Sequence, residues 1–132
     1  MSGALILDSE GLAKAVQRNR ELHEWLAAAR DTDIPVITSA AVLVEVIHPR
    51  INYDALKWTL SRLRVEPVTQ AVAQSAATLL REAGFHGHKY AIDAMLCATA
   101  LAQPGRITIL TSDIDDVNTL TAAHPRIVAE KV

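Results

Sequence analysis

ALILDSEGL, residues 4–12, decides how the rest of the chain is read. Its four consecutive apolar side chains suit a strand buried on both faces, as in parallel sheets, and the run stops at Asp8. RITILTSDIDD (106–116) repeats the arrangement near the other end: an apolar strand candidate, two small hydroxyl residues, then Asp113, Asp115 and Asp116. An acid directly after a buried strand lies at its carboxyl end, where open α/β sheets carry their ligand sites. Two more acids stand in apolar surroundings, Glu45 inside AAVLVEVI (40–47) and Asp93 near the start of AIDAMLCATALA (91–102). Buried carboxylates lose hydration and repel one another, so a chain keeps several only where a proton or a cation neutralises them. A hard divalent metal is the simplest common partner.

Between those anchors, short apolar runs alternate with helical spacing, the pattern of a parallel sheet covered by helices. ALIL (4–7), PVITS (35–39), VEPV (65–68), RITILTS (106–112) and RIVAEKV (126–132) read as five strands, with Pro67 marking an edge. Helical spacing runs over 10–30 with a break near 17–21, from a Ser39 cap to His48, and over 53–64, 70–83, 91–102 and 115–123. Gly84 reads as a helix stop and FHGHKY (85–90) as a loop.

The whole chain, 1–132, reads as one domain, with half its residues apolar and about a fifth charged. A net charge of −2 is not the footprint of a polyanion binder, so any nucleic-acid contact must be local or assisted by metal. Basic residues cluster modestly at Lys14, Arg18 and Arg20, at Arg50, Lys57, Arg62 and Arg64, and at Arg81 and Lys89. Each also reads as the solvated face of a helix. Cys97, the only cysteine, excludes an intrachain disulfide and a thiolate metal cluster, and reads as a packing residue. No run approaches the ~20 apolar residues of a membrane span and no secretory pattern opens the sequence, so a cytoplasmic location is expected.

LILDS (5–9), TSAAVLVEV (38–46), AIDAMLCATAL (91–101) and ILTSDIDDVNTL (109–120), taken together and in this order, resemble the PIN-domain ribonucleases, specifically VapC-type toxins of toxin–antitoxin pairs. The resemblance implies a three-layer α/β/α domain whose mostly parallel sheet of about five strands has the order 3-2-1-4-5. It implies a Mg2+- or Mn2+-dependent endoribonuclease in which Asp8, Glu45, Asp93 and Asp113 match the family's acidic quartet and Asp116 a further acid. It also implies RNA as substrate, a VapB-type antitoxin that blocks the pocket with arginine, and a homodimer. Val42, Val46, Ile51, Trp58 and Leu60 are the apolar residues expected at an interface. Ser9 and Thr111 or Ser112 match the small hydroxyl positions that members of the resembled family use near the metal, and read equally well as a helix cap and strand-end hydrogen-bonding groups.

The chemistry suits the residues without any family. Magnesium takes carboxylate and water oxygens in octahedral geometry, so acids from separate segments can share it, and a bound ion acidifies the water that attacks a phosphodiester. On this reading Asp8 is the central metal ligand, Asp93 and Asp113 complete the metal set, and Glu45 orients or deprotonates the water. Among the crowded acids, Asp113 is favoured as a ligand, Asp116 as an outer-sphere or second-metal group, and Asp115 as a solvated charge.

Plainer roles compete for each residue. Asp8 alone could be a turn residue, and Asp93 a first-turn acid facing a helix dipole. Glu45 and His48 also spell the Glu-x-x-His of di-iron bundles, which need a second copy and long helices. His86 and His88 read first as loop residues, His23 and His124 as surface positions, and Trp25 and Trp58 as core or interface. Two other classes share an acidic magnesium pocket. A receiver-like module needs an Asp after the third strand and a Lys after the fifth, and a haloacid-dehalogenase-like phosphatase needs Asp-x-Asp after the first, where Glu10 stands instead.

Overall fold

Strand β1 (Gly3–Leu7) lies at the centre of a five-stranded sheet. It is flanked on one side by β2 (Val36–Ser39) and β3 (Arg64–Glu66), on the other by β4 (Arg106–Thr111) and β5 (Ile127–Lys131). The order is β3-β2-β1-β4-β5 and every pairing is parallel, as the apolar runs and the resemblance imply. This computed structural model describes residues 3–132. Register places Leu7 opposite Leu110, so the chain leaves β1 and β4 at the same height. Gly3 is required at the other end of that pair, because a Cβ there would stand 2.9 Å from the Arg106 carbonyl oxygen.

Helices α1 (Ser9–Val16), α2 (Arg20–Asp31), α3 (Leu43–Val46) and α4 (Tyr53–Ser61) follow the first two strands, and α1 packs against the other three. Helices α5 (Gln70–Ala83), α6 (Gly87–Leu101) and α7 (Ile114–Leu120) pack on one another as a second group. The core joins both groups to the sheet through fully buried Ile6, Leu7, Leu12, Leu22, Ile37, Leu96, Ile109 and Leu110. Cys97 is buried among them, as expected of a packing residue. Thr38 Oγ1 donates to the Leu7 carbonyl at 2.7 Å, tying β2 to the end of β1.

The expected break near 17–21 is real: Arg18 adopts φ 60°, and Asn19 caps α2 by accepting from Leu22 N–H at 3.0 Å. Gly84 ends α5 in the left-handed conformation, φ 70°, where glycine carries no Cβ penalty. Four expectations need correction. The helix after β2 is only a 3-10 turn at Ala40–Val42 followed by one α-turn, ending at Val46 rather than His48, because Ile47 is extended (ψ 111°). FHGHKY is a loop only at Phe85 and His86: α6 begins at Gly87 and kinks at Tyr90 (φ −114°), whose ring stacks on Phe85 with centroids 4.1 Å apart. Third, Val42 and Val46 belong to the core, leaving Val44, Ile47, Tyr53 and Trp58 as the exposed apolar side chains of this region. His23 is also not a plain surface residue, since its Nε2 is buried and lacks a partner among the described residues.

Candidate active site

Asp8 is the first residue after β1 and the N-cap of α1. Its Oδ1 accepts from Gly11 N–H at 2.7 Å and its Oδ2 accepts from Ser112 N–H at 3.3 Å, and the nearby Thr111 hydroxyl favours its charged form. The capping task considered for Ser9 therefore falls to Asp8. Ser9 instead donates its hydroxyl to Glu45 Oε1, bridging α1 and α3. Thr111 is fully buried and also accepts from Asp113 N–H at 2.9 Å, which sets the chain direction after β4. The backbone of Asp8 is fixed too, its N–H donating to the Leu110 carbonyl at 3.1 Å.

Asp113 precedes α7 without spending its carboxylate on a cap, and Asp116 stands in the first turn of that helix. Asp93 projects from α6, three residues beyond the kink. Carboxylate oxygens of Asp93, Asp113 and Asp116 lie within 4.8 Å of one another, a grouping that does not include Asp8. All five acids, with His88, Lys89 and Tyr90, line one cleft of about 580 Å³ at the carboxyl ends of β1 and β4. The expected convergence of positions 8, 45, 93 and 113 is therefore present. Asp116 sits closer to the centre than the sequence suggested, while exposed Asp115 stays outside the group.

Electrostatics identify Asp93 as the focus. Lost hydration, then the charges of Asp113, Asp8, Glu45 and Asp116 in that order, push its carboxyl up to about 6. Burial also raises Asp8, opposed by the Thr111 hydroxyl and the bonds from Gly11 and Ser112, and Asp113 adds to the rise. The ion pairs among the described residues, Arg20–Glu24 and Arg64–Glu66, involve none of the five acids. A pocket of unneutralised oxygen donors suits a hard divalent cation, and the residues present fit one.

Glu45 departs from its expected setting: it is exposed, because the one-turn α3 buries only Val46 while Val44 is 78% exposed. Lys89 lines the cleft, as its position just ahead of Asp93 suggests, but the sequence hid the partnership of Ser9 with Glu45 and the place of Tyr90 in the cleft wall. The only available signal was their position directly beside Asp8 and shortly ahead of Asp93.

The PIN domain family model matches residues 5–118, most of the chain, and the chain belongs to that family. No curated protein matches it significantly. Among solved structures it is similar to a toxin–antitoxin complex from Klebsiella pneumoniae (22% identity, TM-score 0.67, covering 98% of this chain and 100% of the other). It is also similar to VapBC2 from Rickettsia felis, solved with a promoter DNA fragment (16%, 0.68, 98% of both chains). DNA-bound VapBC from Salmonella typhimurium is a third (15%, 0.68, 97% of both chains). At such identities the likeness is one of fold.

Proposed function

We propose that the protein is a VapC-type toxin, a metal-dependent endoribonuclease that hydrolyses RNA phosphodiester bonds and is neutralised by a VapB-type antitoxin. The observation that carries this reading is the convergence of Asp8, Glu45, Asp93, Asp113 and Asp116 on one cleft with no cation paired to any of them among the described residues. Asp93, Asp113 and Asp116 would hold Mg2+ or Mn2+, and Asp8, which retains acceptor capacity beyond its two backbone bonds, would join them. Such an ion supplies charge stabilisation at the phosphate and a more acidic water.

The chain's own groups do the positioning. The Ser9 hydroxyl holds one oxygen of Glu45, leaving the other to orient and deprotonate the attacking water. Thr111 and Ser112 N–H fix Asp8 and the turn that carries Asp113. No nucleophilic side chain is needed. Exposed Val44, Ile47, Tyr53 and Trp58 supply apolar surface for an antitoxin and for a second copy in a homodimer, and residues 1–132 act as one domain. The receiver-like and phosphatase readings lose support, because a receiver sheet runs 2-1-3-4-5 while this one runs β3-β2-β1-β4-β5, and Glu10 breaks Asp-x-Asp.

The test is incubation of the purified protein with several structured and single-stranded RNAs in magnesium, in manganese and in chelator. Cleavage should require the metal and vanish in Asp8→Asn. Metal-independent cleavage, or none on any substrate, overturns the reading.

A further inference from the structure

A second cleft, of about 620 Å³, adjoins the acid pocket. Ser9, Glu10 and Glu45 line both, so the hydrogen-bonded Ser9–Glu45 pair forms the ridge between them. The two sides of that ridge differ in charge. The acid pocket holds four more aspartate and glutamate side chains than the second cleft, whose remaining ionisable groups are Arg18, His48 and Arg50. All three are exposed, and neither arginine is in an ion pair among the described residues. Val16 and Ile51 provide an apolar floor between them.

Arg18 closes α1: its N–H donates to the Ala15 carbonyl at 3.1 Å, the Asn19 N–H donates to the Lys14 carbonyl at 2.9 Å, and its φ of 60° belongs to that helix stop, which leaves the exposed side chain at the cleft. His48 Nδ1 accepts from Arg50 N–H at 3.2 Å, which leaves its Nε2 as the free donor. Three donors around an apolar floor, next to a pocket of carboxylates, suit an anionic chain with flat apolar groups between its charges.

We propose that this second cleft holds the RNA strand beside the scissile bond, with Arg18, Arg50 and His48 Nε2 donating to backbone phosphates while a neighbouring nucleotide lies over Val16 and Ile51. The RNA in this statement rests on the nuclease reading, whereas the phosphate contacts can be measured without any cleavage. The strand crosses the Ser9–Glu45 ridge, so its phosphates pass from the Arg18, Arg50 and His48 donors into the acid pocket. Glu10 and Glu45 line the same path and balance the two arginines, so the donors act as local phosphate contacts rather than as a basic field.

The experiment measures binding of a fluorescent single-stranded oligoribonucleotide, by anisotropy, in chelator and across a salt series. Wild type is compared with Arg18→Gly, Arg50→Gln and Arg81→Gln, the last an exposed arginine in none of these clefts. Each of the first two substitutions should weaken binding about fivefold at 0.1 M salt and lower the slope of log K against log salt by about 0.7, one single-strand phosphate contact each. Arg18→Gly should keep or raise Tm, so a folding defect cannot imitate the result, and Arg81→Gln should leave the slope unchanged. Equal losses in all three variants, no loss in the first two, or no RNA binding by wild type each overturns the proposal. A polyglutamate peptide that binds more tightly than the oligonucleotide, with the same dependence on Arg18 and Arg50, overturns it in favour of an acidic protein partner. If RNA binds with the expected losses but is never cut in metal, the strand path stands and the nuclease reading falls.

Discussion

Replacing Asp93 with Asn should stabilise the metal-free protein at neutral pH. Asp93 is pushed up to about 6 from an ordinary 3.8 by lost hydration and by the charges of Asp113, Asp8, Glu45 and Asp116. The folded state therefore holds the Asp93 proton more tightly than the unfolded state does. For an acid with a raised folded-state pKa the penalty is absent below about 3.8, grows through the interval, and is complete above about 6. A difference of about 2.2 units corresponds to about 3 kcal/mol, and partial solvent access to Asp93 lowers this to about 1–3 kcal/mol. For a domain of this size each kcal/mol moves Tm by about 3–5 °C. Thermal and urea unfolding in chelator at pH 7.5 and pH 5.0 measure it: the Asn variant should gain at pH 7.5 and keep about half that gain at pH 5.0. Added Mg2+ or Mn2+ should raise wild-type Tm and erase the difference. An Asn variant no more stable than wild type at pH 7.5, or equally advantaged at both pH values, would refute the electrostatic account.

Three shorter predictions accompany it. Glu45→Gln should leave stability within about 0.5 kcal/mol, since Glu45 is exposed, yet lower metal-dependent cleavage by about 10²–10⁴ in a single-turnover assay; unchanged cleavage removes Glu45 from the chemistry. Gly11→Ala should not gain the usual helix-propensity benefit, because its Cβ would stand 3.2 Å from the Leu110 carbonyl and 3.5 Å from Asp8 Oδ1. A loss of about 1 kcal/mol with reduced cleavage is expected, and a stabilised, fully active variant would contradict the packing argument. Burial, with Asp93 and Asp8 adding their charges, pushes the Cys97 thiol up to about 12, so a disulfide reagent at pH 8 should modify it only in urea. Rapid native labelling would show that α6 opens far more often than its burial implies.

The parallel order and the acidic edge were legible because ALIL and RITILT are apolar without alternation, and because an acid ends the first and lies two residues beyond the second. Gly84 was legible for a similarly local reason, its need for positive φ. What escaped depended on tertiary placement. Glu45 read as buried from its apolar neighbours, but α3 is one turn long and presents Val44 and Glu45 outward while Val46 goes inward. FHGHKY carries two histidines, a glycine and a lysine, all consistent with a loop, yet its last four residues open α6, with Tyr90 stacked back on Phe85. Which of Asp113, Asp115 and Asp116 turn inward is decided by how α7 sits on β5 and α6, and spacing within one short segment does not encode that.

Asp8 and Asp93 show how one pocket gives two carboxylates different work. Asp8 is more buried by its surroundings but carries two backbone donors, from Gly11 and Ser112, and has the Thr111 hydroxyl beside it; these offset part of its desolvation and join α1, β1 and β4. Asp93 has no donor among the causes that set its pKa, only lost hydration and four like charges. Proton and cation therefore compete most directly at Asp93, whereas Asp8 is held as part of the frame. The packing that keeps Asp93 in place lies directly behind it, where Ala94 and the run from Leu96 to Ala100 are buried against the sheet. A repulsive cluster survives folding because the element carrying its most strained charge is also one of the best anchored, and relief must then come from whatever positive charge enters the cleft.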